Sequence, residues 1–544
     1  MPDDTSPVTI TRAAPAGAPK PAQPLGPHQA LIDRLRQVAG ADHVAASDDD
    51  RAFFAEDTYR SLETPLAAVA PGSTEELSHV AEACSRANVA LVPRGGGMSY
   101  TDGYLHTRAD SVTVDTRRMN KILEINETDM YVTVECGCTW AVLNAALKEK
   151  NLRTPYWGPL SGINAVVGGA LSQNSIFFGS GFYGSAVEQV VGLTVVTAEG
   201  TVLPLGGHAI ARGKPFMKHY GPDLMGMFLA DAGAMGIKAV VTLRLMRRTE
   251  HRQHIAFTFA TADAMATAMS SLSREGLATE AMGFDAGQQS ARAVEAKRSL
   301  REDFATLMKV IEQGGVIDGL KVALAGRGYL KKVPYGLHVA VEDKTAAGVK
   351  ELARRARQIC KDLGGAPIPA SITRIVHADP FIPVDSILGP KGERWVPVHC
   401  IVPHSKATHI VAQVQALYKR YEALRTKHNI RNGFLLCTVG SYGFLIEPVF
   451  FWPDARLPMY NKVIRKEHLE RLPELAAHEE TRAVVHQMRE ELAQLFVENG
   501  AVSMQLGKFY LYDQALDPKA RGLLEKVKAL VDPSRTMNPG ALKL

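Results

Sequence analysis

Cysteine is scarce in this chain. Its six residues, Cys84, Cys136, Cys138, Cys360, Cys400 and Cys437, are too few to staple 544 residues. Cys136 and Cys138 lie one glycine apart with no second pair at matching spacing, so a structural zinc site is not expected. Reduced thiols suit a cytoplasmic protein. No run of about eighteen or more apolar residues occurs, which argues against a membrane span. Residues 1–27 are rich in Pro, Ala, Ser and Thr and lack a basic start followed by an apolar core; they read as a flexible tail rather than a signal peptide. Excess charge is also lacking. Lys and Arg total 62 against 57 Asp and Glu, a net +5, and no basic stripe carries interleaved aromatics, so nothing argues for a nucleic-acid partner.

What remains is the composition of a globular enzyme, 46% hydrophobic and 22% charged, and long enough for more than one packed unit. From Leu66 strands and helices alternate. A strand over Leu66–Pro71 leads to Ser73-Thr-Glu-Glu76, a capping box opening a helix with Leu77, Val80, Ala81 and Cys84 on one face. Strands follow at Val89–Pro93, Val112–Asp115 and Tyr131–Glu135, then a helix from Trp140 to about Lys150 and a hairpin over Leu193–Pro204 turning at Glu199-Gly200. Basic residues at Arg247–Arg252 mark a boundary. Beyond it come a strand (Ile255–Phe259), a helix (Ala262–Glu275), a strand (Arg394–Val402), a helix (Lys406–His428) and strands at Gly433–Cys437 and Leu445–Trp452. This segment reads as an α+β unit inserted into the first, and residues 475–544 as mostly helical.

Glycine carries the most specific signal. Arg94-Gly95-Gly96-Gly97-Met98-Ser99 follows a strand, and three glycines let several backbone N–H groups point into one concavity suited to a diphosphate. The spacing is neither GxGxxG nor a Walker loop. A second dense region begins at Pro159, Leu160 and Ser161, continues through Gly168-Gly169 and Ser172, and ends at Val191-Gly192. Its glycines stand among apolar residues, which implies close backbone approach rather than a loose linker. Two such loops can clasp one extended dinucleotide. Gly221-Pro-Asp-Leu224 and Gly236-Ile237 form a third element.

In this order the motifs resemble the vanillyl-alcohol oxidase and p-cresol methylhydroxylase (PCMH-type) family of FAD-binding flavoproteins. The third element and Asp532-Pro…Asn538-Pro-Gly540 are similar to the glycolate and D-lactate dehydrogenase branch. The resemblance implies an α+β fold: a flexible tail (1–27), the first part of an FAD domain (28–248), a cap shaping the substrate pocket (249–470) and a C-terminal part completing the FAD domain (471–544). It implies FAD contacts at Arg94, Gly95, Gly96, Gly97, Met98, Ser99, Pro159, Leu160, Ser161, Gly168, Gly169, Ser172, Val191, Gly192 and Ile237. The family's covalent histidine is missing, since Met98-Ser99 stands in the first loop and Ser441–Glu447 in the cap strand, so non-covalent FAD is expected, with Tyr442 a remote candidate for a link. The His-x-Gly-Asp-Gly-x-x-His metal motif of the hydroxy-acid branch is absent, and no metal is expected.

Removal of a hydride from a small alcohol, a 2-hydroxy acid ahead of a phenolic or benzylic alcohol, is the implied activity; a non-catalytic FAD-binding protein is the alternative from another class. Glu447 is a carboxylate in an apolar strand, either a base with a raised pKa or an edge-facing residue. Lys508, Tyr510 and Tyr512 share one face if their segment is extended, where a lysine supplies charge and tyrosines hold a substrate oxygen. Arg374 and Arg394 are candidates for gripping a substrate carboxylate. His399, His404 and His409 recur every five residues, which matches no usual metal cluster, and His377 with Asp379 is close in sequence without other support. The electron acceptor is open between oxygen, a quinone and a cytochrome, and a homo-oligomer is expected.

Overall fold

The computed structural model describes residues 8–288 and 333–544. Strands β1 (Val44–Ala45), β2 (Ala67–Val69), β3 (Ala90–Arg94) and β4 (Ser111–Asp115) form a sheet in the order β1-β2-β4-β3, with β4 parallel to both β2 and β3. The helix Thr74–Arg86 covers it. Ser73 Oγ accepts the Glu76 N–H at 3.1 Å, while the Glu76 carboxylate reaches back to the Gly72 N–H at 2.7 Å. Leu77, Val80, Ala81 and Cys84 are the buried face, and each fully buried leucine or valine contributes about 1.5–3 kcal/mol.

Downstream, β5 (Ile122–Asn126), β6 (Tyr131–Glu135), β7 (Leu152–Arg153), β8 (Val190–Val196), β9 (Val202–Gly206), β10 (Ile237–Arg244) and β11 (Met246–Arg247) make an antiparallel sheet, β5-β6-β10-β8-β9, and a ribbon of β7 with β11. β8 and β9 are the expected hairpin, turning through Gly200 at φ +85°. The chain then enters a larger sheet of β12 (His251–Phe259), β13 (Glu280–Asp285), β14 (Tyr335–Asp343), β15 (Ala366–Pro367), β16 (Arg394–Pro397), β17 (Cys400–Pro403), β18 (Arg431–Val439) and β19 (Gly443–Trp452). Among the described residues its order is β15-β12-β14-β13-β18-β19-β16, with β17 also paired to β19.

Several local expectations change. Arg394–Val402 is two strands, because the His399 N–H leaves the ladder for Tyr510 Oη and pairing to β19 resumes in the same register at Cys400 opposite Ile446. The helix over Lys406–His428 is two, Ala407–Arg420 and Glu422–Lys427, meeting at Tyr421. The glycine-dense stretch contains the short helices Val167–Ser172 and Ser180–Tyr183. The described part of the presumed flexible tail is docked: Val8 and Ile10 pack on the core, the Gln487 carboxamide accepts the Thr11 N–H at 2.8 Å, and Arg51 donates to the Gln23 carbonyl at 2.7 Å.

The C-terminal region serves both units. The helix Glu479–Glu498 buries Val484, Met488, Leu492 and Phe496 in the same apolar cluster as the large sheet, so the return to the first unit, expected at residue 471, comes after it. Met537 then pairs beside Leu91, with the Leu91 N–H donating to Thr536 and the Asn538 N–H to Leu91. Buried Asp532 fixes this turn by accepting the Thr536 and Met537 N–H groups and pairing with Lys528 at 2.6 Å. Both chain ends therefore build the first unit.

Candidate functional site: a glycine-lined cleft

β3 ends at Arg94, and the Gly95–Ser99 loop that follows forms one wall of a cleft. Opposite lie Pro159, Ser161, Ala165, Val166, Gly168, Gly169 and Ser172; Gly233, Gly236, Ile237 and Lys238 form one end and Gln173, Ser175 and Gln505 another. About 950 Å³ is free of protein atoms, part of it open to solvent.

The two glycine loops touch. A Cβ on Gly96 would stand 1.9 Å from the Asn164 carbonyl oxygen and one on Gly95 2.3 Å from Val166 Cγ2. Gly168 is equally constrained, its Cβ position lying 2.7 Å from Cys136 Cβ. Gly97 adopts φ +68°, a region that favours glycine. The loop is held by its carbonyls: Tyr104 Oη donates to Gly97 O at 2.7 Å, and Ser99 O accepts from Thr58. Its amides are left over. Among the described residues no acceptor is found for the N–H groups of Gly95, Gly96, Gly97 or Met98. Convergent amides left without a protein acceptor in a half-buried cleft make a nest suited to an anionic ligand. Gln173, a lining residue, has a buried and unpartnered Oε1.

Arg94 braces the loop from behind. Its buried guanidinium sits 4.5 Å, 4.9 Å and 5.1 Å from the ring centres of Phe53, Phe54 and Tyr104, and burial pushes its pKa down. At the far end, buried Asp231 pairs with Lys238 at 2.6 Å and accepts the Gly233 and Met235 N–H groups, setting the turn before β10.

Residues 65–206 match the family model described as "FAD binding domain". The chain carries an FAD-binding domain. The nest, the unpartnered amides and the paired loops fit a dinucleotide diphosphate. The chain is similar to the FAD-linked oxidoreductase YgcU of Escherichia coli K12, 32% identical over 40% of this chain and 46% of that protein. It is also similar to the glycolate oxidase subunit GlcD of Bacillus subtilis, 30% identical over 44% of this chain and 50% of that one. The matches thus span about half the length of these curated relatives. A crystal structure of p-cresol methylhydroxylase with substrate bound superposes with a TM-score of 0.72 at 16% identity, covering 98% of this chain and 99% of that one. The PCMH-type fold, with an FAD-binding domain built from both chain ends and a cap between them, is therefore the fold of this protein.

Of the FAD-domain residues expected at the cofactor, Arg94, Gly95, Gly96, Gly97, Met98, Ser99, Pro159, Ser161, Gly168, Gly169, Ser172 and Ile237 line the cleft. Leu160, Val191 and Gly192 do not. Leu160 turns away and its carbonyl accepts the Ile382 N–H, while Val191 and Gly192 lie within β8, where the His208 ring stands 2.5 Å from a Cβ on Gly192. That glycine answers to packing.

The remaining candidates scatter. Tyr442 sits at the exposed β18–β19 turn and donates to Glu188 at 2.6 Å. Arg394 is buried, pairs with Asp454 at 3.2 Å and stacks on Trp452. Arg374 lies on the helix Ser371–Ala378 and donates to Ala370 O at 3.3 Å. Lys508, Tyr510 and Tyr512 do not share an extended face: a turn runs through Gly507 at φ +55°, and Tyr512 opens a short helix. Tyr510 Oη accepts the His399 N–H at 2.8 Å and lies 3.1 Å from His399 Nδ1. His404 contacts the Ser441 carbonyl instead, and no metal-holding group of three or more His, Cys, Asp or Glu occurs among the described residues.

Lys508 is a buried strut. It donates to Leu105 O and, at 2.8 Å, to Asn538 Oδ1; the Asn538 amide in turn donates to the carbonyls of Gly103 and Ala232, both in the cleft wall. Burial pushes the Lys508 pKa down to about 7 against the pull of Asp102 and Asp57. Between pH 7 and the ordinary lysine value of 10.5 the unfolded chain binds more protons than the folded one, so stability rises with pH there. Lys508→Met is expected to flatten that rise in urea-unfolding midpoints measured below and above pH 7; an unchanged slope would assign the titration elsewhere.

Sequence reasoning missed Tyr100 and Gln505. Gln505 lines the cleft and donates to Tyr100 Oη at 3.3 Å. Tyr100 is buried, and burial first and the Glu447 charge second hold its phenol well above its usual value. Glu447 acts likewise, though more weakly, on Tyr510. Of these four residues Gln505 lines the cleft, Tyr100 is bonded to it, and the Glu447 charge is felt at both Tyr100 and Tyr510. Spacing could not reveal this, because the four residues come from three distant segments.

Proposed function

We propose that this protein is an FAD-dependent oxidoreductase that removes a hydride from the hydroxyl-bearing carbon of a small organic acid. The observation that carries the reading is the amide nest of Gly95–Met98, which opens on a cleft that Gln505 also lines, with Tyr100 bonded to Gln505 and the Glu447 charge acting on Tyr100. FAD, when bound, supplies the two-electron acceptor. The chain's own residues bind, orient and move protons. Gln505 and Tyr100 offer a paired amide and phenol for a substrate oxygen, and Glu447 takes the hydroxyl proton as the C–H bond breaks. Similarity to a glycolate oxidase subunit supports a 2-hydroxy acid. A second reading, a phenolic or benzylic alcohol, is favoured by the aromatic surroundings of Tyr100, whose ring packs edge-on to Trp395 at 5.6 Å, and by the fold of p-cresol methylhydroxylase. FAD is held without a covalent bond in this reading, since no histidine lines the cleft among the described residues and Tyr442 lies outside it. Acid precipitation should then leave all flavin in the supernatant.

Anaerobic bleaching of the bound flavin with glycolate, D-lactate, mandelate and vanillyl alcohol tests the activity. At least one 2-hydroxy acid is expected to bleach it, and Glu447→Gln should slow that step by about a hundredfold or more. Bleaching by the aryl alcohol alone would move the assignment to the second reading. No bleaching across the panel would end both while leaving FAD binding intact.

A further inference from the structure

A second cavity of about 300 Å³ lies behind the Gly158–Gly162 loop and shares no lining residue with the cofactor cleft. The loop separates the two: Pro159 and Ser161 line the cleft, whereas Trp157 and Ile163, on either flank, line the cavity. The helix Trp140–Glu149 of the FAD unit and residues 377–381 of the cap close it.

Its chemistry is two-sided. Trp157, Phe381, Ile163 and two alanines supply an apolar wall, with the Trp157 and Phe381 rings edge to face at 6.1 Å. Lys148, Arg248 and Arg252 supply positive charge. Arg252 is paired with Glu342, but no carboxylate pairs with Arg248 or Lys148 among the described residues. Two further polar atoms in the lining residues are orphaned. Trp157 is 6% exposed and His377 5% exposed, and neither the indole Nε1 nor the imidazole Nδ1 has a hydrogen-bond partner, although His377 Nε2 stands 3.2 Å from Glu280.

We propose that this cavity binds a small organic carboxylate, its anionic head held by Arg248 and Lys148 and its apolar body by Trp157 and Phe381. The apolar wall and the presence of Asp379 in the lining disfavour an inorganic dianion. The cavity's Phe381 wall touches the cofactor loop from behind. The Phe381 ring lies 2.9 Å and 2.3 Å from the Cβ positions of Gly158 and Gly162, and the Ile382 N–H donates to Leu160 O at 3.2 Å. The proposal stands apart from the catalytic reading, because it uses none of that site's residues.

Calorimetric titration of the flavin-loaded protein with benzoate, and separately with inorganic phosphate, tests it. Saturable one-site benzoate binding is expected, with phosphate at least tenfold weaker. Arg248→Ala should weaken benzoate roughly tenfold or more, and Ala145→Phe, which fills the cavity from the helix side, should abolish binding; both should keep their flavin content and substrate bleaching. No saturable benzoate binding, benzoate binding unchanged in both variants, or phosphate binding as tightly as benzoate would each overturn the assignment.

Discussion

Gly96→Ala is expected to yield a folded but colourless protein. The added Cβ would lie 1.9 Å from the Asn164 carbonyl oxygen and 3.1 Å from the Ala165 nitrogen, both backbone atoms of the opposing loop. A flexible side chain could swing aside; backbone held on both flanks cannot. The Ala165 and Asn164 N–H groups are fixed to Ser161 O at 2.8 Å and 2.9 Å, and the Ala165 carbonyl accepts the Trp140 N–H. The methyl group therefore drives the two loops apart, and overpacking of this kind costs about 1–3 kcal/mol. The strain falls on the cleft itself. Amides that converge on one diphosphate lose alignment together, and a fall in FAD affinity of about a hundredfold or more follows. Gly522→Ala, at a helix position where a Cβ meets nothing within 4 Å, is the control that keeps its flavin. Visible absorbance of the purified proteins, and the rise in melting temperature on adding FAD, give the readout. A Gly96→Ala protein that retains stoichiometric flavin would show that the loops do not need this contact.

Glu342→Gln should produce the largest loss of stability. Glu342 lies on β14 of the cap, 2% exposed by its side chain, and joins Arg153 of β7 at 2.7 Å to Arg252 of β12 and to the Thr249 hydroxyl at 2.8 Å. One carboxylate thus fastens the FAD unit to the cap. Burial alone would raise its pKa, but Arg252 and then Arg153 outweigh burial and hold it at about 2. A glutamine keeps the shape and removes the charge, leaving the buried Arg153 guanidinium without a counter-ion. Breaking a buried pair in this way costs about 3–5 kcal/mol. The sign of the acid dependence follows from the depressed value. The stabilisation is complete above the ordinary carboxylate value of 4.5 and is lost as pH falls from there through about 2, so the wild-type protein should lose its margin over the variant across that window. Denaturant midpoints at neutral pH and at successively lower pH measure both effects. Equal midpoints at neutral pH would mean that water or a neighbouring group replaces the carboxylate.

Much of the fold was legible in the one-dimensional text because it is written in local rules. Ser73 capping its helix, the β-branched runs at Val112–Asp115 and Tyr131–Glu135, and the Gly200 turn each depend on residues within a few positions. The breaks within Arg394–Val402 and Lys406–His428 were not legible, since pairing to β19 and packing at Tyr421 decide them. Gly95–Gly97 and Gly168 line the cleft, and a glycine at each answers a backbone need. At Gly192 the crowding group is instead the His208 ring, an intramolecular neighbour. Arg394 and Arg374 were chosen by residue type, and type alone cannot distinguish a guanidinium open to ligand from one facing Asp454.

By itself, then, the sequence determined the glycine nest, the order of strands and helices and the kind of cofactor, all of which follow from backbone freedom and hydrophobic period over short spans. Tertiary structure alone decided that the Glu447 charge is felt at Tyr100, that Lys508 braces the cleft wall rather than facing the cleft, and that a second cavity backs the cofactor loop. These depend on residues hundreds of positions apart being brought to within a few ångströms, and a side chain's charge and hydrogen bonding are set by those neighbours rather than by its place in the chain.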